Sequence, residues 1–226
     1  MSCLEGRRCL GRLWPLLLLS VATFVLLVVV LTYGMGLHSP DLSGFGDRRN
    51  VHAVLMTGGV LLCLNGALLP SRLWHGVVQS VAAAALVAGG AVVYTSIPDS
   101  HLFSSHELLG FVVLVVLALH WLSALAALLL FPRSAEAAAW WPRQHRLGGL
   151  FVVLGGVAAA TSGLTTYQQA LDRSTFPYVS HAFRYGFVYV GMNVVVLLLV
   201  LLGVFVVFAL RQGDGAASED AARLLN

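Results

Sequence analysis

Six apolar blocks, each long enough to cross a lipid bilayer, constrain the fold of this chain more than any other feature. The hydrocarbon layer of a membrane is about 30 Å thick, and an α-helix crosses it in about 20 residues. Only a helix satisfies its own backbone hydrogen bonds in lipid without closing a barrel. The sequence therefore predicts an all-α integral membrane protein with six transmembrane helices. The blocks are 13–35, 51–69, 73–97, 107–131, 147–167 and 185–210.

Composition supports the same class of protein and excludes others. Of the 226 residues, 58% are hydrophobic and only 10% are charged, whereas a soluble domain carries about 25% charged residues. The formal net charge of +3 is small and scattered along the chain, so we expect a lipid bilayer and no nucleic acid as the partner. Three cysteines are too few and too dispersed for a disulfide framework.

The chain divides into a membrane domain and two polar ends. Block 13–35 is longer than the ~7–15-residue core of a signal peptide, so we expect a retained first helix. Links between the blocks are short, so neighbouring helices are expected to be antiparallel. We expect a cytoplasmic N-terminus over 1–12, the membrane domain over 13–211, and a disordered cytoplasmic tail over 212–226.

The basic residues give the orientation of the bundle. All 13 are arginines, and an N-terminus on the inner side places more of them in the cytoplasm than outside. This is the arrangement that the positive-inside rule favours, with both termini cytoplasmic. The cytoplasmic set is Arg7, Arg8, Arg12, Arg72, Arg133, Arg143, Arg146, Arg211 and Arg223, and the outer set is Arg48, Arg49, Arg173 and Arg184.

Four of the eight histidines stand at or near the start of four successive apolar blocks. Helices two and four both start on the outer side, so His52 and His106 should share one depth. Helices three and five both start on the inner side, so His75 and His145 should share the other. The topology therefore predicts two histidine pairs, one near each face of the membrane.

Paired imidazoles in a membrane bundle are typical ligands of haem iron. Two of them fill both axial positions and leave no open site, which suits electron transfer better than oxygen chemistry. A single histidine at a helix end is more often an interfacial polar residue. Four at equivalent positions, paired by the topology, favour two b-type haems held by helices two to five, over about 51–168.

His120 is a fifth histidine inside the membrane. It lies 14 residues after His106, ~21 Å along the helix and ~40° around it, so it should project toward the inner haem. In an alternative scheme, each of two helices carries two histidines 14 residues apart. That scheme would need a further histidine at position 61, 66 or 159, but these positions are Leu61, Gly66 and Ala159. The four-helix assignment is therefore preferred. His120 would then contact the inner haem site without bonding iron, or bond to another helix.

Short motifs around these histidines carry a resemblance to a known family. They are His52-Ala-Val-Leu-Met56, Gly66-Ala-Leu-Leu-Pro-Ser-Arg72, Trp74-His75-Gly-Val-Val-Gln79, Ser104-Ser105-His106-Glu-Leu-Leu-Gly110 and His145-Arg-Leu-Gly-Gly149. In order and spacing they resemble the cytochrome b561 family of transmembrane, ascorbate-dependent di-haem reductases. The resemblance covers about 52–165. Ala53 stands where the family usually has proline, and the family's pocket for ascorbate often uses lysines, which this chain lacks.

The resemblance implies a ligand set and a direction of electron flow. His52 and His106 would ligate the non-cytoplasmic haem, and His75 and His145 the cytoplasmic one. Ascorbate in the cytoplasm would be the donor, and monodehydroascorbate or ferric iron outside would be the acceptor. It further implies the plasma membrane or an endomembrane vesicle as the location, and a homodimer as a plausible assembly.

Residues at the two faces are candidates for contact with the substrates. Arg72, Arg143 and Arg146 are the cationic groups nearest the inner haem and would bind ascorbate or haem propionates, or serve only as positive-inside anchors. On the outer face, His101 and Phe103 would contact the acceptor, and a loop imidazole can bind a metal or its chelate. The loop histidines His38, His101 and His181 can equally have no such role.

Two other functions fit the same residues. The first is a di-haem membrane anchor subunit of a quinone-linked oxidoreductase complex, which would co-purify with a redox partner. The second is a transporter or assembly protein whose intramembrane histidines carry protons or metal without haem. A red colour in the purified protein would exclude this second alternative.

Overall fold

A computed structural model describes residues 3–35, 45–69, 71–95, 104–130, 135–173 and 182–224. These residues form six helices, each of which contains a stretch long and apolar enough to cross a membrane. The prediction of an all-α fold with six membrane-length helices is thereby confirmed. The helices are α1 Cys3–Met35, α2 Phe45–Ala67, α3 Arg72–Tyr94, α4 Ser105–Leu130, α5 Ala135–Arg173 and α6 Ala182–Leu224.

Several helices extend beyond the apolar blocks that predicted them. α5 begins at Ala135, well before block 147–167, and α6 continues to Leu224. Residues 212–224 are therefore helical, where the sequence analysis expected a disordered tail. Alanine, the residue with the highest helix propensity, occupies four of these thirteen positions. The apolar blocks mark the part of each helix that can lie in lipid, and some helices continue beyond that part.

The most densely buried part of the bundle lies between α1, α2, α5 and α6. α6 packs against α1 and α5, and α1 packs also against α2. Fully buried side chains from three of these helices meet there, among them Leu27, Leu64, Met192, Val195 and Leu199. This half of the bundle is a close-packed apolar core.

α3 and α4 have a different environment. α3 packs chiefly on α2, and α4 packs chiefly on α5. In their membrane-length stretches only 17% and 11% of the residues are buried, against 39% in α2 and α5. Large apolar side chains are exposed on both, such as Val87 on α3 and Leu128 on α4. Such faces are suited to lipid, because a membrane helix gains nothing by hiding apolar side chains from hydrocarbon.

Hydrogen bonds between polar side chains join neighbouring helices within the apolar stretches and at their edges. Asn65 Nδ2 donates to Ser20 Oγ at 2.8 Å and so joins α2 to α1. Gln168 Nε2 donates to Asn193 Oδ1 at 3.2 Å and so joins α5 to α6. Bonds of this kind inside a membrane stabilise a bundle by about 0.6 kcal/mol each, and up to about 1.7 kcal/mol.

Gly191 allows α6 to approach α1 closely. A Cβ added to this glycine would collide with Cγ2 of Val30, which is fully buried. Small residues at helix interfaces permit such contacts between membrane helices.

We expect Gly191→Leu to lower the free energy of unfolding by about 1–3 kcal/mol, because it overpacks the contact with Val30. The measurement is the midpoint of thermal unfolding in detergent, followed by circular dichroism. Gly186→Leu is the matched control, since it lies on the same helix and its Cβ would meet nothing within 4 Å. Equal midpoints for the two variants would contradict the prediction.

Candidate functional site

Two pairs of histidine rings face each other across the bundle. The ring centres of His52 and His106 are 6.1 Å apart, with an angle of 77° between the ring planes. Those of His75 and His145 are 5.9 Å apart, with an angle of 75°. Each histidine is among the first five residues of its helix's membrane-length stretch. The structure thus brings together the same two pairs that the antiparallel topology predicts.

Each pair spans a diagonal of a four-helix arrangement. The neighbours in contact are α2 with α3, α3 with α4, α4 with α5, and α5 with α2. His52 and His106 belong to the diagonal helices α2 and α4, and His75 and His145 to α3 and α5. The space between opposite helices is therefore where a group held by both rings of a pair would lie.

The two levels are 14 residues apart on all four helices. This spacing is ~21 Å along a helix axis and returns the chain to nearly the same face. On each helix, one of the two positions is a histidine of a pair, and the residue at the other position contacts a histidine of a pair. The positions are His52 and Gly66 on α2, His75 and Gly89 on α3, His106 and His120 on α4, and His145 and Ala159 on α5.

Helix caps place two of the four rings. Ser104 and Glu107 form a reciprocal capping box: Glu107 N donates to Ser104 Oγ at 3.2 Å, and Ser104 N donates to Glu107 Oε2 at 3.0 Å. His106 lies within this first turn of α4. Ser71 caps α3, and the backbone N–H of His75 donates to the Ser71 carbonyl at 2.8 Å. Both rings are therefore fixed close to a helix start.

Backbone carbonyl oxygens hold three of the four rings through Nδ1. A carbonyl oxygen can only accept, so Nδ1 carries the hydrogen, and a neutral imidazole then keeps a free lone pair on Nε2. Metal-binding histidines are commonly oriented in this way. The bonds run from His52 to Gly89 at 2.9 Å, from His75 to Gly66 at 2.8 Å and from His106 to Ala159 at 3.1 Å.

His145 is held differently. Its Nδ1 is buried and has no hydrogen-bond partner among the described residues. The ring stacks on His120 instead, with 4.5 Å between the ring centres and 13° between the planes. Trp141 approaches the same ring at 5.7 Å. His120 therefore contacts the inner pair. This agrees with the first of the two roles predicted for it from the sequence, contact with the inner site.

Glycines make room for the rings and leave open space beside one of them. A Cβ at Gly163 would lie 2.5 Å from Cε1 of His106, and a Cβ at Gly148 would lie 2.6 Å from Nδ1 of His120. A Cβ at Gly110 would meet nothing within 4 Å. An apolar cavity opens there, lined by Met56, Val60, Leu86, His106, Gly110, Val113, Leu114, Gly156, Ala159 and Ala160.

These features fit an iron macrocycle at each pair. Two imidazoles on opposite sides of one metal, each bonded at about 2 Å, have ring centres about 6 Å apart, close to the separations observed here. Three of the rings hold the tautomer that leaves Nε2 free for a metal. The assignment of these four residues as haem ligands stays a prediction.

Of the residues predicted to contact the substrates, only those of the inner face are among the described residues. Arg72, Arg143 and Arg146 have exposed side chains. Arg72 opens α3 three residues before His75, and the other two arginines flank His145. The outer candidates lie outside the described residues, and so do two further loop histidines. These are His101, Phe103, His38 and His181.

Sequence reasoning missed the capping box and the carbonyl partners. The Ser-x-x-Glu pattern of Ser104 and Glu107 was visible and would have located the start of α4. No sequence signal identifies Gly66, Gly89 or Ala159 as acceptors, because a backbone carbonyl is common to every residue. Only the packing of the helices selects them.

Comparison with protein families gives one match. A family model described as eukaryotic cytochrome b561 matches residues 51–170, which is more than half of the chain and includes both histidine pairs. A comparison with curated proteins gave no match. The chain therefore belongs to the eukaryotic cytochrome b561 family, multi-pass membrane proteins that bind b-type haem and transfer electrons across the bilayer.

Proposed function

We propose that this protein holds two b-type haems, one at each histidine pair, and carries electrons from cytoplasmic ascorbate to an acceptor on the other side of the membrane. The acceptor is monodehydroascorbate or a ferric chelate. The observation that carries the proposal is the presence of two pairs of facing imidazoles at two depths, each about as far apart as the axial ligands of one metal.

The four histidines have a clear division of roles under this proposal. His52 and His106 hold the outer group, and His75 and His145 hold the inner one. A haem with two axial imidazoles supplies one-electron chemistry without an open coordination position. The ~21 Å between the two levels is shorter than the ~30 Å of hydrocarbon, so two groups divide the crossing into shorter steps.

The protein contributes rigidity and the exclusion of water. Hydrogen bonds to backbone carbonyls fix three of the ligand rings before any electron arrives. The capping box holds His106 at the start of its helix. Apolar side chains line the space beside His106. A site with fixed ligands and few mobile dipoles reorganises little when its charge changes.

On the donor side, we assign the binding of ascorbate to Arg72, Arg143 and Arg146. Their exposed guanidinium groups lie at the same end of the bundle as His75 and His145. Guanidinium groups form charge-assisted hydrogen bonds with planar oxyanions, and ascorbate is an anion at neutral pH. The arginine distribution supports a cytoplasmic location for this end, in the plasma membrane or an endomembrane vesicle.

On the acceptor side, we assign contact with the acceptor to His101 and Phe103. They belong to the link between α3 and α4, and His101 precedes His106 by only five residues. That link is therefore tethered next to the outer pair. An imidazole there suits a ferric chelate, and an aromatic ring suits a flat organic acceptor.

The ligand assignment predicts a change in haem content. We expect His52→Ala and His145→Ala each to lower the haem content of the purified protein from two per chain to one, because each removes one axial ligand of a different pair. The measurement is haem per chain by the pyridine haemochrome method. His38→Ala serves as a control for the loss of a histidine outside the pairs and should retain both haems.

Two results would refute this assignment. One is a native protein with no haem. The other is retention of two haems by both His52→Ala and His145→Ala.

The donor assignment predicts weaker binding of ascorbate. We expect Arg72→Gln and Arg143→Gln each to raise the ascorbate concentration for half-maximal reduction roughly three- to tenfold, because exposed charged contacts contribute modestly. The measurement is the initial rate of haem reduction in the visible spectrum over a series of ascorbate concentrations. The matched control is Arg48→Gln, an exposed arginine at the opposite end of the bundle.

Unchanged half-maximal concentrations in both variants would show that these arginines are only orientation anchors. An equal effect of Arg48→Gln would exclude a local donor site at the inner end.

A further inference from the structure

Within the described residues, one of the four paired imidazoles lacks the hydrogen bond that fixes the other three. His52, His75 and His106 each donate from Nδ1 to a backbone carbonyl at 2.8–3.1 Å. The Nδ1 atom of His145 is buried without a partner among the described residues. Without such a hydrogen bond, the ring can rotate about the Cβ–Cγ bond of the side chain. Another contact must therefore fix the plane of the ring.

His120 supplies the nearest such contact. Its ring lies 4.5 Å from that of His145 and only 13° from parallel, whereas Trp141 lies 5.7 Å away at 30°. Stacked rings at this distance attract each other and resist rotation of either plane. The stack is therefore the contact best suited to hold the plane of His145.

His120 is itself held against the backbone of α5. A Cβ at Gly148 would lie 2.6 Å from His120 Nδ1, and a Cβ at Gly149 would lie 3.6 Å from Nε2. The ring occupies space that exists because Gly148 lacks a side chain, and a Cβ at Gly149 would be in van der Waals contact with it. A ring seated directly on a helix backbone has little room to turn. Its orientation is thus set by α5, the helix that also carries His145.

We propose that His120 is a positioning residue that fixes the plane of the His145 ring by stacking, in place of the carbonyl bond found at the other three rings. This inference rests on the proposed haem pairs. A carbonyl that accepts from Nδ1 makes an imidazole a stronger donor to iron. Among the described residues His145 has no such acceptor, so the inner centre differs electronically from the outer one, and its ligand geometry depends on a side chain of α4.

A metal bound directly by three histidines is the competing explanation for this cluster. It would require His75, His120 and His145 to converge on one point. Among the described residues, no group of three potential metal ligands does so. Parallel rings in face-to-face contact also direct their nitrogens past each other rather than toward a shared ion. The geometry favours a stack.

The test compares two replacements at position 120 by electron paramagnetic resonance of the oxidised protein. This spectrum depends on the angle between the two axial imidazole planes of each low-spin haem. His120→Leu removes the flat ring, and His120→Phe retains it without the nitrogens. We expect His120→Leu to shift or abolish the signal of the inner haem, and His120→Phe to leave it in place.

The outer haem is an internal control, because carbonyl bonds fix both of its ligands. Its signal should be the same in all variants. The reduction potentials, measured by a redox titration of the visible spectrum, should follow the same pattern, with a shift at the inner haem of His120→Leu alone.

A second pair of variants tests the same contact without changing His120. Gly148→Ala adds a Cβ that displaces the His120 ring, so it should alter the inner signal as His120→Leu does. Gly155→Ala is the matched control: it makes the same change on the same helix, and its Cβ would lie 2.8 Å from an apolar atom, Cγ2 of Val113. It should leave the inner signal unchanged.

Three results would overturn the inference. The first is an inner signal and potential that are native in both His120→Leu and Gly148→Ala. The second is an equal change in His120→Phe and His120→Leu, which would assign the effect to the nitrogens of His120. The third is an equal change in Gly148→Ala and Gly155→Ala. A native protein with fewer than two haems would instead refute the proposed function, so the two failures are distinguishable.

Discussion

Hydrogen bonds from imidazole Nδ1 to backbone carbonyls are the interaction on which the two levels of this bundle depend. In hydrocarbon a polar ring nitrogen has no water to bond, so a hydrogen bond to another part of the protein stabilises it. On α2 and α3 the bonds are reciprocal: His52 reaches Gly89, and His75 reaches Gly66. Each bond fixes a ring and, at the same time, the register of two neighbouring helices. The site and the helix pairing are therefore stabilised together.

The bundle separates its structural core from its candidate redox site. Close packing is concentrated between α1, α2, α5 and α6, where contacts such as Gly191 with Val30 bring backbones together. The histidine pairs lie instead across the diagonals of α2 to α5, and α3 and α4 bury few residues. Membrane helices gain nothing from burying apolar side chains away from lipid. Loose packing around α3 and α4 is consequently tolerable, and it leaves room for a flat group between opposite helices.

The two ends of the site differ although their ring geometry is nearly the same. Both rings of the outer pair donate to carbonyls, and an apolar cavity lies beside His106. At the inner pair, His145 has a stacked neighbour and no acceptor in the part of the chain that the structure describes, and exposed arginines lie close by along the chain. Under the proposed assignment of one haem to each pair, this difference would give the two haems different potentials, because ligand donation and nearby charge both tune a haem potential.

The sequence by itself determined the number of helices, their antiparallel order and the pairing of His52 with His106 and of His75 with His145. These follow from local properties, namely the length of each apolar block and the position of a histidine within it. Only the tertiary structure decided that Gly66 and Ala159, positions where a second set of histidines would stand, supply carbonyl acceptors instead. It alone showed that Gly148 makes room for the His120 ring, and that His120 stacks on His145. Such contacts depend on the rotation of each helix about its axis and on which helices are diagonal, and no local pattern encodes either.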